Sequence, residues 1–185
     1  MRQDMRRWPF DLVVNVILAS PLVPRIVRTL ILRALGMQLA SYEMYPRCTF
    51  RSTKLRVGKD TVINSGCYFD NDAMIEMGSG VGIAQHVVFL TSTHKLGTAR
   101  CRAGEVELKP ISVGDGCWIG ARATILPGVT IGEACIIGAG ALVTADCAPN
   151  GIYVGIPARR VGDLDGEPAT VGTVPGAGGG VGTRG

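Results

Sequence analysis

Side chains able to move a proton or attack as a nucleophile near neutral pH are few in this chain. There are two histidines, His86 and His94, and six cysteines, Cys48, Cys67, Cys101, Cys117, Cys135 and Cys147. An imidazole titrates close to working pH and suits general-base chemistry, in which a poor nucleophile loses its proton as it attacks. His94 follows Ser92 and Thr93 at the root of a stretch that interrupts an otherwise regular pattern, whereas His86 falls at a corner of the pattern and reads as an exposed residue. No CxxC pair occurs, and Cys67, Cys117, Cys135 and Cys147 fall in small-residue slots of the same pattern. They read as reduced core thiols, which makes the cytoplasm the expected compartment. Two histidines are too few for a three-histidine zinc site, and no metal is expected.

The regular pattern has a period of six. Val57, Ile63, Phe69, Ile75, Val81 and Val87 hold an apolar first position, and Val113, Ile119, Ile125, Ile131, Ile137 and Val143 resume it. The fifth position is small throughout (Thr61, Cys67, Ala73 and Ser79, then Cys117, Ala123, Cys135 and Ala141 among others), with Gln85 out of place. This period matches neither an amphipathic helix nor a hairpin strand and is a signature of a parallel β-helix. Three hexads make a triangular turn of eighteen residues, giving about four coils at 57–74, 75–92, 113–130 and 131–148. Gly58, Gly82, Gly114, Gly120, Gly132 and Gly138, with Asn64, occupy second positions, where tight corners favour residues tolerant of unusual backbone angles. The rhythm breaks once, at a loop spanning 93–112, and long insertions on a rigid scaffold are commonly functional.

The chain length of 185 residues suits one domain with appendages. The first forty residues hold Arg2, Arg6, Arg7, Arg25, Arg28 and Arg33 against Asp4 and Asp11, which accounts for the whole net charge of +4. The remainder is balanced, and no nucleic-acid partner is expected. Two apolar stretches, 10–19 and 26–35, are each too short to span a bilayer, and no A-x-A cleavage site follows them. In the second, Ile26, Val27, Leu30, Ile31, Ala34 and Leu35 form one helical face, with Arg25, Arg28, Thr29 and Arg33 opposite. Solenoid ends need covering, so this face is expected to cap the β-helix; peripheral contact with the inner membrane face is the secondary role. Three segments follow: an apolar and basic helical segment at 1–42, the β-helix at 43–162 with its loop at 93–112, and a disordered glycine-rich tail at 163–185.

The run from about Met44 to Val161 resembles the hexapeptide-repeat acyltransferases, most nearly the maltose and galactoside O-acetyltransferase group. The resemblance is carried by VINSGCYFDND, LTSTHKLG, VGDGCWIGARATILPGVTIG, IIGAGALVTAD and GIPARRV, with Trp118 standing 24 residues after His94. It implies an all-β solenoid, a left-handed parallel β-helix, assembled as a homotrimer with active sites between neighbouring subunits. It also implies direct acetyl transfer from acetyl-CoA, without an acyl-enzyme, to a small-molecule or polysaccharide acceptor bearing a sugar hydroxyl. N-acetylation of an amino sugar, or transfer of a longer acyl group, is the alternative, and a non-catalytic scaffold a remote one.

By the same resemblance His94 is the general base and Asn64 holds the acceptor hydroxyl for attack. Asp72 and Trp118 contact the acceptor, and the Ala121 N–H receives the developing oxyanion. Trp118, Gly120, Ala121, Gly138, Ala139, Thr144, Arg159 and Arg160 line the CoA site. Two departures concern that site: Ala145 stands where the family carries a lysine, and Gly162 where it carries a second basic residue. The N-terminal helical region that supplies acceptor contacts in maltose acetyltransferases is replaced by the basic apolar segment.

Overall fold

A computed structural model describes residues 7–164. Short parallel strands stack into the three sheets of a β-helix. The first sheet runs Gln38–Leu39, Leu55–Val57, Ile75–Met77, Ile111–Val113 and Thr130–Ile131. The second runs Val62–Ile63, Gly82–Ile83, Trp118–Ile119, Ile136–Ile137 and Gly151–Val154, closed by the antiparallel strand Arg159–Asp163. The third runs Thr49–Phe50, Tyr68–Asp70, Val88–Leu90, Thr124–Ile125 and Leu142–Val143. Strand pairing begins at Gln38, opposite Arg56, ahead of residue 43, the expected start of the β-helix segment. One further coil is therefore partly formed below Val57.

All twelve apolar first positions are buried, yet the stacking differs from a uniform eighteen. Val57 pairs with Met77, Ile63 with Ile83 and Phe69 with Phe89, twenty residues on. Above them Val113 pairs with Ile131 and Ile119 with Ile137, eighteen on. Ile75, Val81 and Val87 consequently occupy the slots filled in the coil below by Leu55, Thr61 and Cys67, two residues before the first position. Gln85 then falls at an exposed corner and is no exception. The frame slips because the corner after Phe69 carries two more residues than the corner after Ile125. The slip costs nothing, since residues two apart on a strand point to the same side and both enter the core. Phe50, Phe69 and Phe89 stack through the axis with ring centroids 4.9 and 5.3 Å apart.

The second-position glycines serve a different purpose from the one expected. None has a positive φ, and neither does Asn64. A Cβ at Gly58 would lie 2.4 Å from the Gly78 carbonyl oxygen, and one at Gly120 would lie 2.5 Å from the Ala139 nitrogen. These glycines let one coil's backbone lie against the next. Positive φ falls instead on corner residues such as Gly116 and His86, whose exposed imidazole covers Gly66.

Two helices, Asp11–Ile17 (of π type) and Arg25–Ala34, close the lower end, and none among the described residues is long and apolar enough to cross a membrane. The second helix is turned the opposite way from the sequence expectation. It buries Arg28, Thr29 and Leu32, while Ile26, Val27, Leu30, Ile31 and Leu35 face outward. Leu32 joins Val14 and Leu18 in the core. The reason is hydrogen bonding: the first coil ends in backbone groups with no coil beneath them. Asn15 supplies both missing partners of Phe50, its Nδ2 donating to the carbonyl at 2.9 Å and its Oδ1 accepting the N–H at 2.9 Å. The buried Arg28 guanidinium donates to the carbonyls of Leu18, Met44, Ser20 and Val23 at 2.6 to 3.0 Å. Its burial pushes its pKa downward.

At the other end the closing strand reaches Asp163, which pairs with Gly151, so the chain is structured one residue past the expected boundary. Of the tail expected over 163–185, residues 165–185 lie outside the described residues.

All six cysteines are unpaired, and all but Cys101 are buried. Burial pushes the Cys117 thiol up to about 11 and the Cys147 thiol up to about 12. An unfolded chain would release those protons near pH 8.5, so the native state retains protons that the unfolded state has lost. Stability is thus full below about pH 8.5 and declines as pH rises towards 11 to 12. Denaturant midpoints between about pH 8 and 10.5 are expected to fall, and to fall less for Cys117→Ala/Cys147→Ala; equal slopes for the two proteins would contradict this.

Candidate active site

The third-sheet corner, where the chain turns back into the first sheet, carries the extra residues of the lower coils. The two-residue slip lies there, and so does the long insertion, which folds as a two-stranded hairpin, Ser92–Thr98 with Cys101–Leu108. His94 sits on it opposite Val106 and is exposed. Its Nδ1 lies 2.9 Å from the Gly104 carbonyl oxygen. A carbonyl only accepts, so in the neutral imidazole Nδ1 carries the proton and Nε2 keeps its lone pair.

The hairpin root is fastened to the coil by residues the sequence reading did not single out. Asp70, almost fully buried, accepts from the Ser92 hydroxyl and from the Ser92 N–H at 3.2 Å. Asn71, wholly buried, accepts from the Arg51 and Ser52 N–H groups at 2.9 Å each and donates to the Ser52 carbonyl at 2.8 Å. Arg51 Nε lies 3.0 Å from a carboxylate oxygen of Asp70 and 3.0 Å from one of Asp72. Asp72 is therefore charge-paired, and Lys54 Nζ donates to its carbonyl at 2.6 Å. The available signal was the Asp-Asn-Asp run at the point where the hexads slip.

The second sheet ends in a different corner. Ile63, Ile83, Ile119 and Ile137 stack, and Asn64, Ala84, Gly120 and Gly138 follow them in one column linked by N–H to carbonyl bonds. The Asn64 side-chain oxygen accepts the Ser65 N–H at 2.9 Å, which directs its amide group away from that bond. Above it, Trp118, Gly120, Ala121, Gly138 and Ala139 line an open cleft of about 370 Å³ with Ala84 and Gln85. Trp118 is 58% exposed, its indole beside Gly82, so it serves as a wall and not as core packing. Among the described residues no protein acceptor pairs with the Ala121 N–H.

At the cleft's upper edge Val154 covers Gly138, and Arg159 pairs with Val154 in the closing strand. The two terminal arginines differ. Arg160 is held by Asp163 (Nε at 2.6 Å), the Tyr153 hydroxyl at 3.2 Å and the Pro149 carbonyl at 3.1 Å. Arg159 has no carboxylate partner among the described residues. Thr144 follows Val143 at the end of the third sheet, on the hairpin's edge of the prism.

One chain thus divides the expected residues between two edges. Trp118, Gly120, Ala121, Gly138, Ala139 and, two coils lower, Asn64 share one; His94, Asp72 and Thr144 share the other. His94 does not line the cleft.

The sequence profile of the bacterial transferase hexapeptide (six repeats) matches residues 110–145. Galactoside O-acetyltransferase of Escherichia coli (strain K12) is 32% identical over 113 residues, covering 61% of this chain and 56% of that protein. The curated relatives matched are longer proteins, and the aligned stretch spans between 53% and 57% of their length. The structure of a maltose O-acetyltransferase from Clostridium difficile 630 superposes with a TM-score of 0.73 at 28% identity, covering 87% of this chain and 88% of that one. A hexapeptide-repeat acetyltransferase of Vibrio cholerae, solved with acetyl coenzyme A, gives 0.74 at 29% identity, covering 82% and 84%. Repeat, profile and superposed coil agree: residues 110–145 carry the bacterial transferase hexapeptide, and the chain is similar in sequence and fold to maltose and galactoside acetyltransferases.

Proposed function

We propose that the protein is an O-acetyltransferase that moves an acetyl group from acetyl-CoA to a hydroxyl of a saccharide or sugar-containing acceptor in the cytoplasm. The observation that carries this reading is His94: exposed on an anchored hairpin, with Nδ1 committed to the Gly104 carbonyl and Nε2 free to accept a proton. The acceptor hydroxyl gives its proton to Nε2 as its oxygen bonds to the thioester carbon. Negative charge on the former carbonyl oxygen is received by the Ala121 N–H, whose donor is otherwise unused. Collapse breaks the carbon–sulfur bond, and the CoA thiolate takes the proton back from the imidazolium.

The Asn64 amide orients the hydroxyl, and Asp72, its carboxylate fixed by Arg51, contacts the acceptor. Pantetheine lies along the Gly120, Gly138 and Ala139 backbone beside Trp118, with Thr144 contributing from the hairpin edge of a neighbouring copy. Arg159 meets the CoA phosphates; Arg160 acts mainly by holding the closing strand. Because His94 and the cleft occupy different edges, the working site lies between two copies in a homotrimer.

The test is mass spectrometry of the protein incubated with acetyl-CoA and a panel of saccharides. An added acetyl group on at least one hydroxyl acceptor is expected. Acetylation confined to amino sugars would replace the O-transfer reading, and no CoA binding at all would leave only a scaffold.

A further inference from the structure

The outward face of the second helix is a surface that acetyl transfer does not use. Ile26 is 61% exposed, Leu30 50% and Val27 44%, with Ile31 and Leu35 on the same side. Leu22, in the turn before the helix, is 89% exposed, and Trp8, in the helical turn that runs into Asp11–Ile17, is 66% exposed. A soluble surface rarely leaves so many large apolar side chains contiguous along one helix without a partner. The sequence had no difficulty supplying polar residues to this helix; it placed them inward, where Arg28 binds carbonyls.

The rim is cationic and aromatic. From residue 7 to residue 47 the chain has Arg7, Arg25, Arg28, Arg33 and Arg47 against only Asp11 and Glu43. Arg28 is buried; the other four lie outside the core. The Arg33 guanidinium lies 4.2 Å over the exposed Tyr42 ring, and Arg25 lies 5.0 Å over Tyr45 while also pairing with Glu43. Pro24, Arg25, Ile26, Leu30, Tyr42 and Glu43 enclose one continuous cleft, so apolar row and cationic rim are adjacent.

We propose that this face docks on an anionic phospholipid surface, with Leu22, Ile26 and Leu30 entering the acyl boundary and Arg25, Arg33, Tyr42 and Tyr45 at headgroup level. An amphipathic helix lying in the interface, flanked by aromatic rings and arginines, is the arrangement such surfaces bind. Charge decides between a bilayer and a second copy of the chain. Self-association here would bring the same arginine rim against itself, whereas anionic headgroups neutralise it. The docked acetyltransferase would meet acceptors that carry a lipid anchor.

Co-sedimentation of the full chain with vesicles tests this. Binding to phosphatidylcholine vesicles containing about a third phosphatidylserine should exceed binding to pure phosphatidylcholine by at least about tenfold, and added salt should weaken it. Ile26→Asp/Leu30→Asp should weaken it by about tenfold or more at an unchanged melting temperature, because both side chains are already in water. Arg25→Gln/Arg33→Gln should abolish the preference for anionic vesicles. Wild-type protein that binds neither vesicle, or both equally, overturns the proposal. So does an Asp double variant that binds normally, or one that dissociates the protein's oligomer, which would make a second copy the occupant.

Discussion

Replacing His94 with alanine is expected to lower kcat by about 100- to 10,000-fold while acetyl-CoA affinity stays within about twofold. The size follows from the proposed role: general-base removal of the hydroxyl proton is made only in the transition state, so its loss would appear in kcat and not in donor binding. The insensitivity of donor binding follows from the same proposal, in which acetyl-CoA lies against Trp118, Gly120, Ala121, Gly138 and Ala139 and makes no binding contact with His94. A variant retaining more than about a third of wild-type turnover at saturating substrate would remove His94 from the mechanism. The divided site adds a sharper outcome. Co-expressing His94→Ala with Ala139→Trp, which fills the cleft, should give mixed oligomers with restored turnover, because some interfaces then pair an intact His94 with an intact cleft. Mixed oligomers as inactive as either parent would place the whole site within one chain.

A loss of about 3 to 5 kcal/mol of stability is expected for Arg28→Met, the largest effect of any single change in the N-terminal segment. Methionine fills much of the volume but leaves the carbonyls of Leu18, Ser20, Val23 and Met44 without their donor. Each buried group left unpaired costs about 1 to 3 kcal/mol, partly recovered where water enters at the margin. For a domain of this size the melting temperature should fall by roughly 6 to 20 °C. Arg28→Lys should lie between the two proteins, since an ammonium reaches fewer carbonyls than a guanidinium fork. An Arg28→Met protein within about 2 °C of wild type would mean that the helix is not held through these bonds.

The coil and its core were legible because a period of six survives any reading of the chain, and an apolar residue at each beat has nowhere to go but the axis. The column positions of Asn64, Gly120 and Gly138 follow from that arithmetic, and so does the departure of His94 from the coil at the one long insertion. The stacking register was not legible. Residues two apart enter the same core, so Val57 over Met77 and Val57 over Ile75 are equally apolar; only the crowded Asp70–Ala73 corner, with Asn71 and Asp70 buried in it, separates them.

The helix was misread for a related reason. Hydrophobicity assigns the larger apolar face to the interior, but an open β-helix end presents backbone groups that need partners as much as apolar surface that needs cover. Asn15 and Arg28 answer the first demand, while Val14, Leu18 and Leu32 suffice for the second. The repeat, the identity of the core and the residue types available for chemistry could be read from the linear chain, because these depend on periodicity and composition. The register, the face the helix presents and the separation of His94 from the cleft emerged with the folded coil. Those depend on which backbone groups lack a partner and on which edge of the prism each residue falls, neither of which is written in a linear pattern of polarity.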